Sequence, residues 1–299
     1  MPELPDVELY LHALRPRVVG QRIERVRIGN AFIVRTYDPP VSAVEGVTIR
    51  GVTRLGKRIV FGFDDELFVV VHLMIAGRFR WREPEAAIPG KIGLAAFDFA
   101  GGTLLLTEAG SKRQASIHVV RGASSLAEHD RGGLEVLSTD LDTFRVRLTA
   151  ANHTLKRTLT DPHIFSGIGN AYSDEILHAA RLSPMTLTSG LTDEETARLF
   201  RATRETLQIW VTRLQQETGD NFPEKVTAFR DEMAVHGKYG QACPVCGQPV
   251  QRIVYARNEA NYCTRCQTGG RLLSDRSLSR LLGQDWPKTL EEMESRRRR

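Results

Sequence analysis

The chain has 299 residues, 41% of them apolar, with only four cysteines and a formal net charge of +5, and its pI is near 9.2. That length exceeds one small core, suits two domains plus a minor module, and needs no disulfide staples. No run of about 18 apolar residues occurs and the acidic opening lacks the basic and apolar regions of an export signal, so a cytoplasmic, nucleoid-associated protein with no membrane partner is expected.

In chain order, the opening MPELPDVEL predicts a helix that starts at once. Pro5 suits a first turn, Asp6 and Glu8 complement its positive end, and Val7, Tyr10, Leu11, Leu14 and Val18 recur at helical spacing. Helix punctuation leaves Pro2 unexplained. If Met1 is trimmed, the new terminus is a secondary amine that titrates near pH 8, roughly two units below a lysine. Such an amine attacks an aldehyde to give an iminium, which is an electron sink.

From about residue 21 to 120, segments such as QRIERVRI, KRIVFGF, LFVVVHLMI, LAAFDF and ASIHVV carry period-two patterning. That predicts a β-sandwich or barrel-like domain with the opening helix packed against it. After about residue 130 the pattern turns helical, around 154–161, 170–181 and 192–217, the last with a capping box from Thr192 to Glu195 and an apolar stripe through Leu199, Leu207, Trp210 and Leu214. Between two of these helices lies DPHIFSGIGNAYSDEIL, where Asp161 and Pro162 end one helix and Asn170 is expected to cap the next. Glycines ahead of a helix start leave N–H groups exposed, as a phosphate site requires.

The four cysteines fall in two C-x-x-C pairs, Cys243 with Cys246 and Cys263 with Cys266, with sixteen residues between the pairs. This spacing predicts one closed, structural tetrahedral Zn²⁺ site. The segment between the pairs alternates like a β-hairpin, with a polar break at Arg257, Asn258 and Glu259. The last thirty residues read as a charged, helix-prone extension ending in four arginines.

Four features in one order, MPELPDVE, Gly56 with Lys57, GIGNAYSDEIL and HGKYGQACPVCG, resemble the formamidopyrimidine-DNA glycosylase and endonuclease VIII family over roughly residues 1 to 270. The resemblance implies a multi-domain α+β fold: an N-terminal β-sandwich with its helix (1–130), a helix–two-turn–helix domain (131–235) and a zinc finger (236–270), followed here by an extension (271–299). It implies a monomeric base-excision enzyme acting on double-stranded DNA with damaged bases or abasic sites. Pro2 would be the nucleophile that expels the base and leaves a Schiff base, Glu3 the water-shielded proton shuttle, and Lys57 the group that holds the lesion phosphate, with strand cleavage by β- and δ-elimination. Lys156 and Asn170 would grip backbone phosphates, with Arg257 as a further contact, and such contacts position without specifying sequence.

The chain also departs from the purine-specific pattern. HLMIAGR puts Ile75 where that pattern has its gap-filling methionine, TEAGSKRQA replaces the loop bearing arginine and phenylalanine, Asn258 stands in the expected arginine register, and PEKVTAFRDE differs from the base-capping loop. Oxidised pyrimidines or abasic sites are therefore expected in preference to 8-oxoguanine. The rival readings are a non-catalytic binder of damaged DNA on the same fold and a zinc-ribbon regulatory or ribosome-associated module.

Overall fold

The computed structural model describes residues 1–110, 112–255, 258–274 and 283–297. By compactness the chain forms two units, residues 1–133 with 209–228 and residues 134–208 with 229–299. This division is coarser than the four segments expected, and residues 209–228, placed with the helical segment on sequence, group with the first unit.

In the first unit, α1 (Leu4–Val18) begins as soon as the chain does, because the Glu3 N–H donates to Asp6 Oδ2 at 3.0 Å and satisfies a donor the helix start leaves open. Its apolar face is fully inside, with Val7, Tyr10, Leu14 and Val18 at 0% exposure. Strands β1 (Arg25–Ile28), β2 (Gly51–Leu55), β3 (Arg58–Gly62), β4 (Leu67–His72), β5 (Gly77–Arg82), β6 (Gly93–Phe99), β7 (Gly102–Glu108) and β8 (Ser116–Arg121) follow, with the short α2 (Ala123–Ala127) after them. They form two antiparallel four-stranded sheets, ordered β1-β6-β7-β5 and β2-β3-β4-β8.

Period-two side chains explain how the sheets close on each other. Ile59, Phe61, Val69, Val71, Ile117 and Val119 point inward, Phe61 of one sheet stacks on Phe97 of the other at 6.3 Å, and Tyr10 of α1 meets Phe79 edge-on at 5.8 Å. The alternate residues Val60, Val70 and Val120 form a second cluster with Leu126 of α2. Burial on both faces is why LFVVVH is an unbroken apolar run. The β-sandwich with its opening helix is the architecture expected. Strand β5 was missed because GRFRWR reads as polar, yet its arginines alternate with Phe79 at 0% exposure and Trp81.

The second unit holds α3 (Leu141–Thr149), α4 (Leu155–Thr160), α5 (Asn170–Ala179), the hairpin β9 (Gln251–Tyr255) and β10 (Asn258–Tyr262), and α7 (Thr264–Thr268). The long α6 (Asp193–Thr218) begins in it and runs on into the first unit. Its capping box is formed as expected, Thr192 N–H to Glu195 Oε2 at 3.0 Å and Glu195 N–H to Thr192 Oγ1 at 3.1 Å. The stripe is inside, with Leu199 and Leu207 at 0% and Trp210 at 5% exposure. Helix α3 escaped the sequence reading because it buries only Phe144 and Leu148, on a start capped by Asp140.

Two local expectations are corrected. Asn170 is the first residue of α5 rather than its cap, and Gly169, in extended backbone, takes the capping position. Asn258 and Glu259 belong to β10, paired with Tyr255 and Val254, so the polar break is shorter than read. No helix among the described residues is long and apolar enough to cross a membrane.

Candidate active site and metal centre

The first site is built at the chain's start. Pro2 is buried, with Glu3 at 3% and Asp6 at 0% exposure beside it. Lys57 sits in the two-residue turn between β2 and β3, closed by the Leu55–Arg58 pair and turned at Gly56, φ +61°. Arg54 ties this turn to α1: its Nε donates to Glu8 Oε1 at 2.9 Å and its Nη1 to the Gly56 carbonyl at 3.0 Å. The lysine is therefore set against the helix that carries the terminal residues.

The present terminus is the Met1 amine, which stands in for the Pro2 nitrogen that trimming would expose. Burial pushes its pKa below the ordinary 8.0; Glu3 opposes this, Arg78 reinforces it, and weaker opposing and reinforcing effects come from Asp6 and Lys57. Burial likewise lowers the Lys57 ammonium, against the pull of Glu3 and then Asp6. Two cationic groups and two carboxylates thus act on one shielded amine. Arg78 and Asp6 were not singled out on sequence as site residues. The alternation of arginine in GRFRWR is the signal that could have found Arg78.

Ile75 lies at the tip of the β4–β5 turn, 63% exposed. The turn is tight: Gly77 N–H donates to the Leu73 carbonyl at 2.9 Å, Met74 has φ +52°, and Arg78 Nη1 donates to the Ile75 carbonyl at 3.1 Å. The segment following β7 is held at its base by the buried Glu108, whose carboxylate accepts from the Gln114 and Ala115 N–H groups. Lys112 is exposed there, and Arg113 donates to the Lys91 carbonyl at 2.5 Å.

In the second unit, Lys156 of α4 is 8% exposed. Its Nζ donates to the Asn170 carbonyl at 2.6 Å and to Asp174 Oδ1 at 2.5 Å. The structure thus brings Lys156 to the first turn of α5, where Asn170 stands. Arg257 lies outside the described residues.

The metal centre is in the same unit. All four cysteine sulfurs lie within 4.8 Å of one another, with Cys246 to Cys263 at 3.3 Å and Cys243 to Cys266 at 3.9 Å. Zinc–sulfur bonds of about 2.3 Å in a tetrahedron require edges of about 3.8 Å, so the donor set fits one Zn²⁺. The first knuckle is turned by Gly247, φ +75°, whose N–H donates to the Cys243 carbonyl at 2.9 Å. His178 Nε2 lies 3.3 Å from Cys243 Sγ, an outer contact of the kind that orients a ligand. With four protein ligands the site is closed, and its zinc is structural.

Three family models match along the chain: the formamidopyrimidine-DNA glycosylase N-terminal domain over residues 1–113, the formamidopyrimidine-DNA glycosylase H2TH domain over 133–220, and a zinc finger found in FPG and IleRS over 240–269. The formamidopyrimidine-DNA glycosylase of Thermus thermophilus is 33% identical over 278 residues, covering 90% of this chain and all of its own. That of Symbiobacterium thermophilum is 30% identical, covering 89% of each. Among solved structures, Lactococcus lactis Fpg bound to DNA containing an abasic site superposes with a TM-score of 0.78 at 25% identity, over 89% of this chain and 99% of that one. The same enzyme bound to DNA with an oxidised pyrimidine gives 0.78 at 26%. Motifs, sandwich, helical elements and cysteine cluster agree, and the chain belongs to the formamidopyrimidine-DNA glycosylase family of DNA-repair glycosylases.

Proposed function

We propose that this protein is a bifunctional DNA glycosylase and abasic-site lyase that removes oxidised bases from double-stranded DNA through an imine on Pro2. The observation that carries the reading is the meeting of the terminal amine with Glu3 and Lys57 in a shielded corner of the sandwich. Once Met1 is removed, the Pro2 nitrogen lone pair attacks the sugar C1′, and the electrons of the glycosidic bond leave with the base, which takes up the proton that the Pro2 nitrogen sheds. Glu3 delivers a proton to the ring oxygen as the sugar opens, leaving an iminium between Pro2 and C1′. Loss of a C2′ proton to a base then expels the 3′ phosphate, a second elimination releases the 5′ phosphate, and water frees Pro2. Lys57, an ammonium on a braced turn, holds the phosphate at the lesion and offsets charge there.

Lys156 and Asn170 serve as backbone phosphate contacts at the start of α5, and Arg257 as a further one. Ile75, exposed at a rigid tip, enters the gap left by the extruded base. Its branched side chain and the altered loop after β7 favour oxidised pyrimidines and abasic sites over 8-oxoguanine. The complexes of the Lactococcus lactis relative hold abasic-site, oxidised-pyrimidine and Fapy-dG DNA; they support action on damaged DNA, and the preference among lesions rests on the altered tip and loop alone. The chromosome is the expected place of action, and the chain works as a monomer.

Borohydride trapping on a duplex with one abasic site tests the reading, comparing the trimmed protein with Pro2→Gly and with a form that keeps Met1. An adduct mapped to Pro2, absent from the form keeping Met1, is the expected result. Tight binding without any adduct would replace this reading with a non-catalytic damage binder.

A further inference from the structure

Asp174 has no role in the chemistry proposed above, yet it is a fully buried charge of the second unit with three side-chain partners. It sits on α5 at 0% exposure, one turn after Asn170. One carboxylate oxygen accepts from Lys156 Nζ at 2.5 Å. The other lies 2.8 Å from His236 Nδ1 and accepts from Asn261 Nδ2 at 3.3 Å. Those two partners belong to the metal module: His236 precedes the first knuckle, and Asn261 lies on β10, two residues before Cys263.

His236 is itself held, at 4% exposure, by stacking on Phe229 at 5.5 Å and by its own N–H, which donates to Glu175 Oε1 at 2.9 Å. Glu175 accepts two more main-chain N–H groups, from Ala234 and Val235, so the segment leading into the knuckle is pinned to the same helix. Asn261 is 1% exposed and donates from the same amide to Glu259 Oε1 at 3.1 Å.

The chemistry of this chain of contacts is directional. A buried ammonium is tolerated only beside an opposite charge, and the carboxylate that provides it must itself be hydrogen-bonded on its remaining lone pairs. Asp174 meets the first need for Lys156, and His236 and Asn261 meet the second for Asp174. Two of the three N–H donors of Lys156 are committed, to Asp174 and to the Asn170 carbonyl. The Asn170 side-chain amide makes no hydrogen bond among the described residues. We infer that Asp174 is a positioning residue that holds Lys156 and the first turn of α5 in place for a DNA phosphate, and that its hold depends on the folded zinc module.

The inference rests on the reading of Lys156 as a phosphate contact, so the two are tested together. Equilibrium binding of the full chain to a duplex bearing a tetrahydrofuran abasic analogue is measured across a salt series, with zinc content, for wild type, Lys156→Met, Asp174→Asn and the double variant. Each lost phosphate contact lowers the salt slope by about 0.9. Lys156→Met loses about that slope and about tenfold in affinity. Asp174→Asn, keeping its zinc, loses most of the same slope, and the double variant binds no more weakly than Lys156→Met. A salt slope reports phosphate contacts, which a simple loss of stability would not remove one at a time.

Asn261→Ala, which deletes only the hairpin's donor, is measured in parallel and loses part of the slope even if Asp174→Asn folds poorly. A wild-type slope in Asp174→Asn or in Asn261→Ala, with Lys156→Met impaired, overturns the inference and leaves Lys156 as a phosphate contact. A wild-type slope in Lys156→Met removes both.

Discussion

At the terminal amine, burial and the cations of Arg78 and Lys57 favour the neutral form, while Glu3 and Asp6 favour the charged one. The balance lies below the ordinary 8.0, and the nucleophile is the neutral form. The shift is that of the Met1 amine; the Pro2 nitrogen, exposed by trimming beside the same charged groups, should follow the same direction, so trapping of an abasic site should rise with pH through a midpoint under 8, the fraction of free amine being the limiting quantity. Arg78→Met removes a positive charge and should move that midpoint up towards the ordinary value. The measurement is the single-turnover trapping rate against pH, and an unmoved midpoint would show that Arg78 does not act on the amine. Of the residues in this corner, Pro2, Glu3 and Lys57 were legible because each sits in a short motif. Asp6 was read only as a helix-start charge, and Arg78 was not singled out.

At the scale of elements, the turn between β4 and β5 is a small rigid device. A Cβ on Gly77 would stand 2.2 Å from the Leu73 carbonyl oxygen, a backbone atom that cannot swing aside. Gly77→Ala should lower stability by about 1 to 3 kcal/mol, as forced overpacking does, and should displace Ile75 at the tip. Gly51, also at a strand start, has nothing within 4 Å of its would-be Cβ. Gly51→Ala should stay within about 0.5 kcal/mol of wild type. Paired denaturant melts check both; equal melts would refute the steric account. The gap-filling position of Ile75 was legible in HLMIAGR, but the steric constraint at Gly77 was not, because it depends on where the folded turn places the Leu73 carbonyl.

For folding of the whole molecule, the outer face of the second sheet carries half-buried imidazoles. Burial pushes His72 down to about 4, reinforced by Arg58 and Lys57, and His118 to about 4, reinforced by His129 and Arg58. The His118 and His129 rings meet at 4.6 Å. An unfolded histidine titrates near 6.5, so between about pH 6.5 and 4 the unfolded chain binds more protons than the folded one. Stability should therefore be complete above that window and fall as pH drops through it. His72→Gln and His118→Gln should each flatten the decline. Thermal melts from pH 7 to 4 test this, and identical slopes in wild type and variants would exclude the imidazoles as its source.

By itself the sequence determined what depends on neighbours a few residues away. These are the helix beginning at residue 4, the capping box at Thr192, the period-two strands of the sandwich and the paired cysteine knuckles, all governed by local backbone chemistry and spacing. Tertiary structure alone decided which distant charges share a site. Arg78 was brought to act on the amine at residue 1, and Asp174 to join Lys156, His236 and Asn261. Such meetings follow from strand order and helix packing, which summed burial over the whole core selects and no short window of residues encodes.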